Sequence, residues 1–240
     1  PLENHGDIGG VKVRPTFRAD QRFKEGAAKS ELEKRLDYFV GKGCKIADYG
    51  FDFIDEGDEN LVWLIENCYK RKMLLQLHFG TFRNVNGKMY ERCGKDSGFD
   101  VMRGAIDTDK LAKILDRENK RLGGLPKIVV YPLNDYDLRA LGALTGAFPQ
   151  VKLGAAWWFN DTVNGIKRQL ETAAEYSALG TQYGMLTDSR SFSSYVRFDF
   201  YRRILSSFIG ERVENGEYDE NAAIALARKI AYENIKAALL

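Results

Sequence analysis

One histidine combines reactive chemistry with a position at the end of an apolar segment. His78 is one of only two histidines in the 240 residues, and the glycine-containing turn Phe79-Gly80-Thr81 follows it directly. An imidazole can bind a metal or exchange a proton near neutral pH. His78 is therefore a candidate site residue, and a core histidine hydrogen-bonded to the backbone is the alternative.

A second group of polar side chains lies in the motif Thr187-Asp188-Ser189-Arg190-Ser191-Phe192. Asp188 and Arg190 are two residues apart, so both could face one cavity. A carboxylate can take a proton or bind a metal, and a guanidinium can hold a carbonyl or carboxylate through two hydrogen bonds. A structural salt bridge is the alternative for this pair, and helix capping is the alternative for the two serines.

Aromatic and basic side chains complete the set of candidates. Trp157 and Trp158 follow three small residues, a pattern that suits either a packed core or the wall of a sugar-sized pocket. Arg18 ends the first apolar segment and could bind an anionic substrate, although a solvated arginine is equally consistent with its position. Arg83 lies five residues after His78.

The elements that must position these side chains alternate between apolar strands and amphipathic helices. Leu61, Leu64, Ile65 and Cys68 repeat at helical spacing and so form one stripe. Two consecutive helices are predicted at 192–209 and 220–240. The predicted strands are 11–17, 44–49, 73–79, 127–131, 151–157 and 182–187. Repeated strand–helix units predict a parallel sheet.

A doubly wound sheet and a (β/α)8 barrel both fit this alternation. In the third strand Gln76 and His78 share one face, and the opposite face is apolar. Polar groups at the C-terminal end of one face suit a barrel whose active site lies at that rim. The glycine fingerprint that would favour the doubly wound sheet is absent. We therefore predict a single domain over residues 1–240, an α/β (β/α)8 TIM-type barrel with about six of the eight strands present and extra C-terminal helices.

Composition excludes several classes of protein. A net charge of +2 gives no reason to expect nucleic acid or an anionic membrane as a partner. No apolar run approaches the roughly 20 residues of a membrane span. Three cysteines without a C-x-x-C pair argue against a disulfide framework, so we expect a cytoplasmic protein.

Taken together, these segments resemble the uronate isomerase (glucuronate isomerase) family, which is related to the amidohydrolases. The most specific matches are Trp157-Trp158-Phe159-Asn160-Asp161 and Met185-Leu186-Thr187-Asp188-Ser189-Arg190-Ser191-Phe192. Weaker matches in the expected order are 14–20, 43–50, 75–84 and 125–134. The resemblance implies an aldose–ketose isomerase that interconverts D-glucuronate with D-fructuronate and D-galacturonate with D-tagaturonate. It also implies a small sugar acid as partner and allows a homo-oligomer.

The resemblance also implies a role for each candidate residue. Asp188 matches the catalytic base beside a divalent metal, usually zinc, and Arg190 matches the arginine that polarises the C1 carbonyl. His78 matches a histidine at the metal centre, so the implied metal ligands are His78 and Asp188. Arg18 and Arg83 match arginines suited to the substrate's carboxylate and hydroxyls. The two neighbouring tryptophans, Trp157 and Trp158, would wall the pocket.

The sequence departs from the family where the first metal ligands are expected. The family's first strand carries a His-x-His pair, but the only other histidine here is His5. We therefore expect this sequence to be the C-terminal portion of a longer protein, with the remaining metal ligands upstream. A metal-dependent hydrolase of the same superfamily and a non-catalytic barrel fragment are the competing functions.

Overall fold

The structure is a computed structural model that describes residues 10, 12–188 and 191–239. Its strands are β1 (Thr16–Arg18), β2 (Ile46–Phe51), β3 (Leu74–Phe79), β4 (Thr81–Phe82), β5 (Val101–Met102), β6 (Lys127–Pro132) and β7 (Val151–Leu153). Its α-helices are α1 (Asp20–Lys24), α2 (Lys29–Gly41), α3 (Glu59–Lys70), α4 (Gly87–Cys93), α5 (Thr108–Leu122), α6 (Leu138–Ala147), α7 (Val163–Tyr176), α8 (Val196–Glu214), α9 (Glu220–Arg228) and α10 (Asn234–Leu239). Shorter 3-10 turns span Asp135–Asp137, Trp158–Asn160, Leu179–Thr181 and Phe192–Tyr195, and a π-helical turn spans Lys229–Glu233.

Helix α3 illustrates how local sequence determines these elements. The Asp58 carboxylate caps its first turn by accepting the backbone N–H groups of Asn60 and Leu61. The predicted apolar stripe of this helix is fully buried. The stripe therefore provides the face that packs against the sheet.

The main sheet is parallel, and its strands follow chain order. Five strands pair as β1-β2-β3-β6-β7, and every neighbouring pair is parallel. A helix lies between each strand and the next, which confirms the predicted α/β fold with a parallel sheet. A small antiparallel pair, β4 with β5, is inserted between β3 and α5.

The two faces of this sheet differ as the alternation in the third strand predicts. Leu75, Leu77 and Phe79 pack in the large core against the helices. The opposite, inner face carries Leu74, together with β6 residues such as Tyr131, in a separate cluster. Part of α10 and of the segment 183–186 cover that inner face.

The predicted strand at 182–187 is wrong, because residues 182–188 adopt neither strand nor helix. Backbone carbonyls in this region bond to a side chain and not to a neighbouring strand. Asn234 Nδ2 donates to the carbonyl oxygens of Gly180 and Gln182 at 2.9 and 2.8 Å. The first strand is also shorter than predicted. It starts at Thr16, directly after Pro15, which has no N–H to donate.

The described residues form an open sheet of five strands, and the closed eight-stranded barrel is not seen among them. The two predicted final helices are confirmed, but the first, α8, begins four and ends five residues later than predicted, and a π turn divides the second into α9 and α10. Helix α8 packs with α7 and α9 in a second core. None of the helices in the described part of the chain is long and apolar enough to cross a bilayer.

Candidate active site

A cavity of about 760 Å³ opens at the carboxyl ends of the parallel strands, a size that ligand sites commonly have. Six of the residues singled out from sequence line it: Arg18, His78, Arg83, Trp157, Trp158 and Asp188. The carboxyl ends of parallel strands bring distant chain segments to one rim, which explains the convergence. Arg190, the remaining predicted site residue, lies outside the described residues together with Ser189.

His78 is held against a carboxylate that the sequence reasoning did not select. Its Nε2 lies 3.1 Å from Oδ2 of Asp48 on the neighbouring strand β2, and both side chains are mostly buried. Gly50 is the residue of β2 directly opposite His78. A Cβ at Gly50 would lie 2.3 Å from Cε1 of His78, so only glycine leaves room for the ring. Asp48 could have been selected from the sequence, because a carboxylate that faces inward from a strand needs a hydrogen-bonding or charged partner.

Arg18 joins this network from β1. Its Nε donates to Oδ2 of Asp20 at 2.8 Å, and its Nη1 lies 3.4 Å from Oδ2 of Asp48. Partial burial lowers the pKa of Arg18, but the hydrogen bond with Asp20 and the charges of Asp20, Asp48 and Asp188 outweigh it and raise the pKa overall. The guanidinium therefore stays cationic, and its half-exposed side chain presents that charge to the cavity.

Asp188 presents an exposed carboxylate beside a buried indole. Nε1 of Trp157 donates to Oδ2 of Asp188 at 2.9 Å. The ring of Trp157 also packs edge-on against His78, with 5.2 Å between centroids. One indole therefore contacts both the predicted base and the predicted histidine. Asp188 has a φ of +42°, a conformation that non-glycine residues adopt only where surrounding contacts hold them.

Arg83 reaches the cavity from the inserted antiparallel pair. Its guanidinium lies 4.9 Å from the ring centroid of Trp158, within cation–π range. Its Nη1 donates to Oδ2 of Asp100 at 2.9 Å. The buried Asp100 carboxylate also accepts the backbone N–H of Asn84 at 2.8 Å. Nothing in the local sequence indicates this role for Asp100, because the residue is brought to Arg83 only by the pairing of β4 with β5.

Metal ligands are sparse among these side chains. Within residues 12–188 and 191–239, no group of three or more His, Cys, Asp or Glu side chains is placed to hold a metal. His78 Nε2 is already engaged with Asp48, and Asp188 Oδ2 accepts from Trp157. The described residues alone therefore do not fit a zinc centre, which needs three or four protein ligands.

Comparison with known proteins identifies the family. The family model described as glucuronate isomerase matches residues 57–238. This chain belongs to the glucuronate isomerase family. The matched range includes five of the six cavity residues selected from sequence, and it leaves out Arg18.

Individual members of the glucuronate isomerase family agree with this assignment. A uronate isomerase of Serratia proteamaculans is 32% identical over 94% of this chain and 61% of its own length. One from Mannheimia succiniciproducens is 34% identical over 87% of this chain and 53% of its own length. The crystal structure of a Thermotoga maritima uronate isomerase matches with a TM-score of 0.87 and 25% identity, covering 97% of this chain and 63% of that one. The chain thus spans less than two thirds of the length of these relatives.

Proposed function

We propose that this cavity serves an aldose–ketose isomerase, an intramolecular oxidoreductase, that acts on hexuronic acids. The substrate pairs are D-glucuronate with D-fructuronate and D-galacturonate with D-tagaturonate. The observation that carries the proposal is the Trp157 indole, which contacts both His78 and Asp188 in a cavity that also receives two arginines. Membership in the glucuronate isomerase family supports the same activity.

The proposed chemistry is a proton transfer between neighbouring carbons through a cis-enediol. Asp188 removes the proton from C2 of the aldose and returns it to C1, while the hydroxyl proton moves from O2 to O1. An exposed carboxylate whose Oδ2 is oriented by the Trp157 indole N–H can act as that base through its other oxygen, which accepts no hydrogen bond from the part of the chain that the structure describes. The negative charge that develops on O1 needs a cation, and Arg190 is the predicted one.

The remaining side chains have proposed binding roles. Arg83 is the proposed partner of the substrate carboxylate, because its partly exposed guanidinium lies at the cavity beside the Trp158 ring. Arg18, which also reaches the cavity, is the proposed contact for the substrate hydroxyls. Trp157 and Trp158 offer flat apolar surfaces of the kind on which sugar rings pack.

The zinc predicted from the resemblance stays a proposal. His78 and Asp188 could provide two ligands, and the others would have to come from outside the described residues. The proton transfer is therefore assigned to this chain's own side chains. The closed barrel, the cytoplasmic location and a homo-oligomer are proposals of the same standing.

The direct test is turnover by the complete gene product, supplied with a divalent metal and with its metal content measured. Proton NMR of D-glucuronate and D-galacturonate incubated with the protein should show D-fructuronate and D-tagaturonate. Cleavage of p-nitrophenyl esters without sugar-acid turnover would overturn the isomerase proposal in favour of a hydrolase. Absence of both activities would overturn it in favour of a non-catalytic protein.

A further inference from the structure

The segment that carries Asp188 depends on side chains from elsewhere for its position. Residues 182–188 form neither helix nor strand, so no regular ladder of backbone hydrogen bonds fixes them. Asn234 holds the beginning of the segment through the carbonyl of Gln182. At the other end Arg197, in the first turn of α8, donates from Nη1 to the carbonyl oxygen of Thr187 at 3.1 Å. That carbonyl belongs to the residue directly before Asp188.

Arg197 also contacts the second loop of the site. Its Nη2 pairs with Oδ2 of Asp161, a carboxylate that is only 3% exposed. Asp161 follows the 3-10 turn Trp158–Asn160, which starts directly after Trp157. Since a buried carboxylate needs a compensating charge, this pair is a strong attachment for the turn.

These two contacts converge on one hydrogen bond. Arg197 holds the turn that follows Trp157 with one nitrogen and the residue before Asp188 with the other. Trp157 and Asp188 are the donor and acceptor of the 2.9 Å bond that orients the proposed base. We propose that Arg197 is a positioning residue, which keeps the Asp188 carboxylate at the indole N–H and at the edge of the cavity. This inference rests on the proposed function only where catalysis is concerned.

The geometry requires arginine in place of lysine. A guanidinium carries its N–H groups on separate nitrogens in a fixed plane, and here Nη1 serves the carbonyl and Nη2 the carboxylate. The three N–H donors of an ammonium share one nitrogen on a flexible stem, so they cannot reproduce that spacing. Arg197→Lys therefore keeps the charge opposite Asp161 but leaves the Thr187 carbonyl without this donor. That variant separates positioning of the base from simple neutralisation of a buried acid.

The test reads the Trp157 indole directly, independently of any activity. In ¹H–¹⁵N spectra of the protein, the Trp157 indole resonance is assigned with Trp157→Phe, and Asp188→Ala gives its position without the hydrogen bond. Arg197→Lys should move the Trp157 resonance at least halfway to that position. Arg203→Gln is the matched control, since Arg203 lies on the same helix in an exposed pair with Asp199. The control should leave the Trp157 resonance unchanged.

A second variant guards against a folding defect. Arg197→Met leaves Asp161 buried without its partner, so the double variant Arg197→Met/Asp161→Asn removes both charges together and leaves no N–H donor at position 197. It should fold and still move the Trp157 resonance, because the Thr187 carbonyl has lost its donor. An unchanged Trp157 resonance in folded Arg197→Lys and in the double variant would overturn the inference.

Kinetics connect the positioning to catalysis. Arg197→Lys should lower kcat about 10- to 100-fold while KM changes less than about twofold, since the base and not substrate binding is displaced. If the resonance moves but the wild-type protein shows no isomerase activity, positioning stands and the proposed function fails. If the wild-type enzyme is active and neither the resonance nor kcat responds, the inference fails and the proposed function stands.

Discussion

Replacing Gly50 by alanine should damage the site through a single steric contact. The added Cβ would lie 2.3 Å from Cε1 of His78 and 3.0 Å from each ring nitrogen. A comfortable carbon–carbon contact needs about 3.5 Å, so the imidazole must withdraw by about 1.2 Å. The ring has little room for that movement, because Asp48 and Trp157 already contact it.

The size of the effect follows from that displacement. A displacement of about 1 Å within a site can cost about 100-fold in rate even when the substituted residue does not touch the substrate. His78 packs on the Trp157 indole that orients Asp188, so kcat of Gly50→Ala should fall by that order. Forcing a methyl group into this packed position should also cost about 1–3 kcal/mol of unfolding free energy. Both effects come from the His78 ring, because Gly50 does not need a positive φ.

The assay compares isomerisation rates and urea unfolding for Gly50→Ala and for Gly210→Ala. Gly210 lies in α8 with open space where an added methyl group would project, so its replacement should leave kcat unchanged and raise stability by about 0.5–1 kcal/mol. The reasoning would be refuted if kcat of Gly50→Ala stayed within twofold of wild type and its unfolding free energy stayed within about 0.5 kcal/mol of wild type.

Two further substitutions test other parts of the structure. Asp100→Asn should raise KM for glucuronate about 10-fold with little change in kcat, because Arg83 loses its charged partner. An unchanged KM in steady-state kinetics would show that Asp100 does not contribute to substrate binding. Burial raises the pKa of Asp137, although the hydrogen bond from the Ile106 N–H opposes this shift. Above the raised pKa the buried carboxylate is charged, and this charge lowers the free energy of unfolding. Asp137→Asn should therefore stabilise the protein at pH 7 by about 1 kcal/mol, and the gain should shrink as pH falls through the raised pKa toward the ordinary value of 3.8. Urea midpoints at pH 7 and pH 3.5 check this, because the lower pH lies below the ordinary pKa of 3.8 and so below the raised one, and an equal gain at both would contradict it.

The sequence predicts best those features that depend on the hydrophobic periodicity of a single helix or strand. The stripe of α3 and the alternation along β3 each depend on a single buried face, so periodicity predicted both correctly. The cavity residues were found because polar side chains at strand ends stand out against apolar surroundings. Their convergence followed from the parallel arrangement of the strands.

The errors lie where distant contacts decide the structure. Residues 182–187 are apolar enough for a strand, but side chains from later in the chain bond to both ends of the segment: Asn234 donates to the Gln182 carbonyl and Arg197 to the Thr187 carbonyl. Asp100 and Arg197 carry no local signal, since each gains its partner only through tertiary packing. Asp48 could have been found from the face that it occupies on β2.

The central claim is that Asp188 is the base that moves the proton between C2 and C1. The most direct measurement is kcat of Asp188→Asn, since asparagine keeps an oxygen for the Trp157 indole and so preserves the local structure. Loss of a general base predicts a fall of about 100- to 10,000-fold, with circular dichroism and the unfolding midpoint unchanged. A folded Asp188→Asn protein that turns over glucuronate within tenfold of the wild-type rate would contradict the claim.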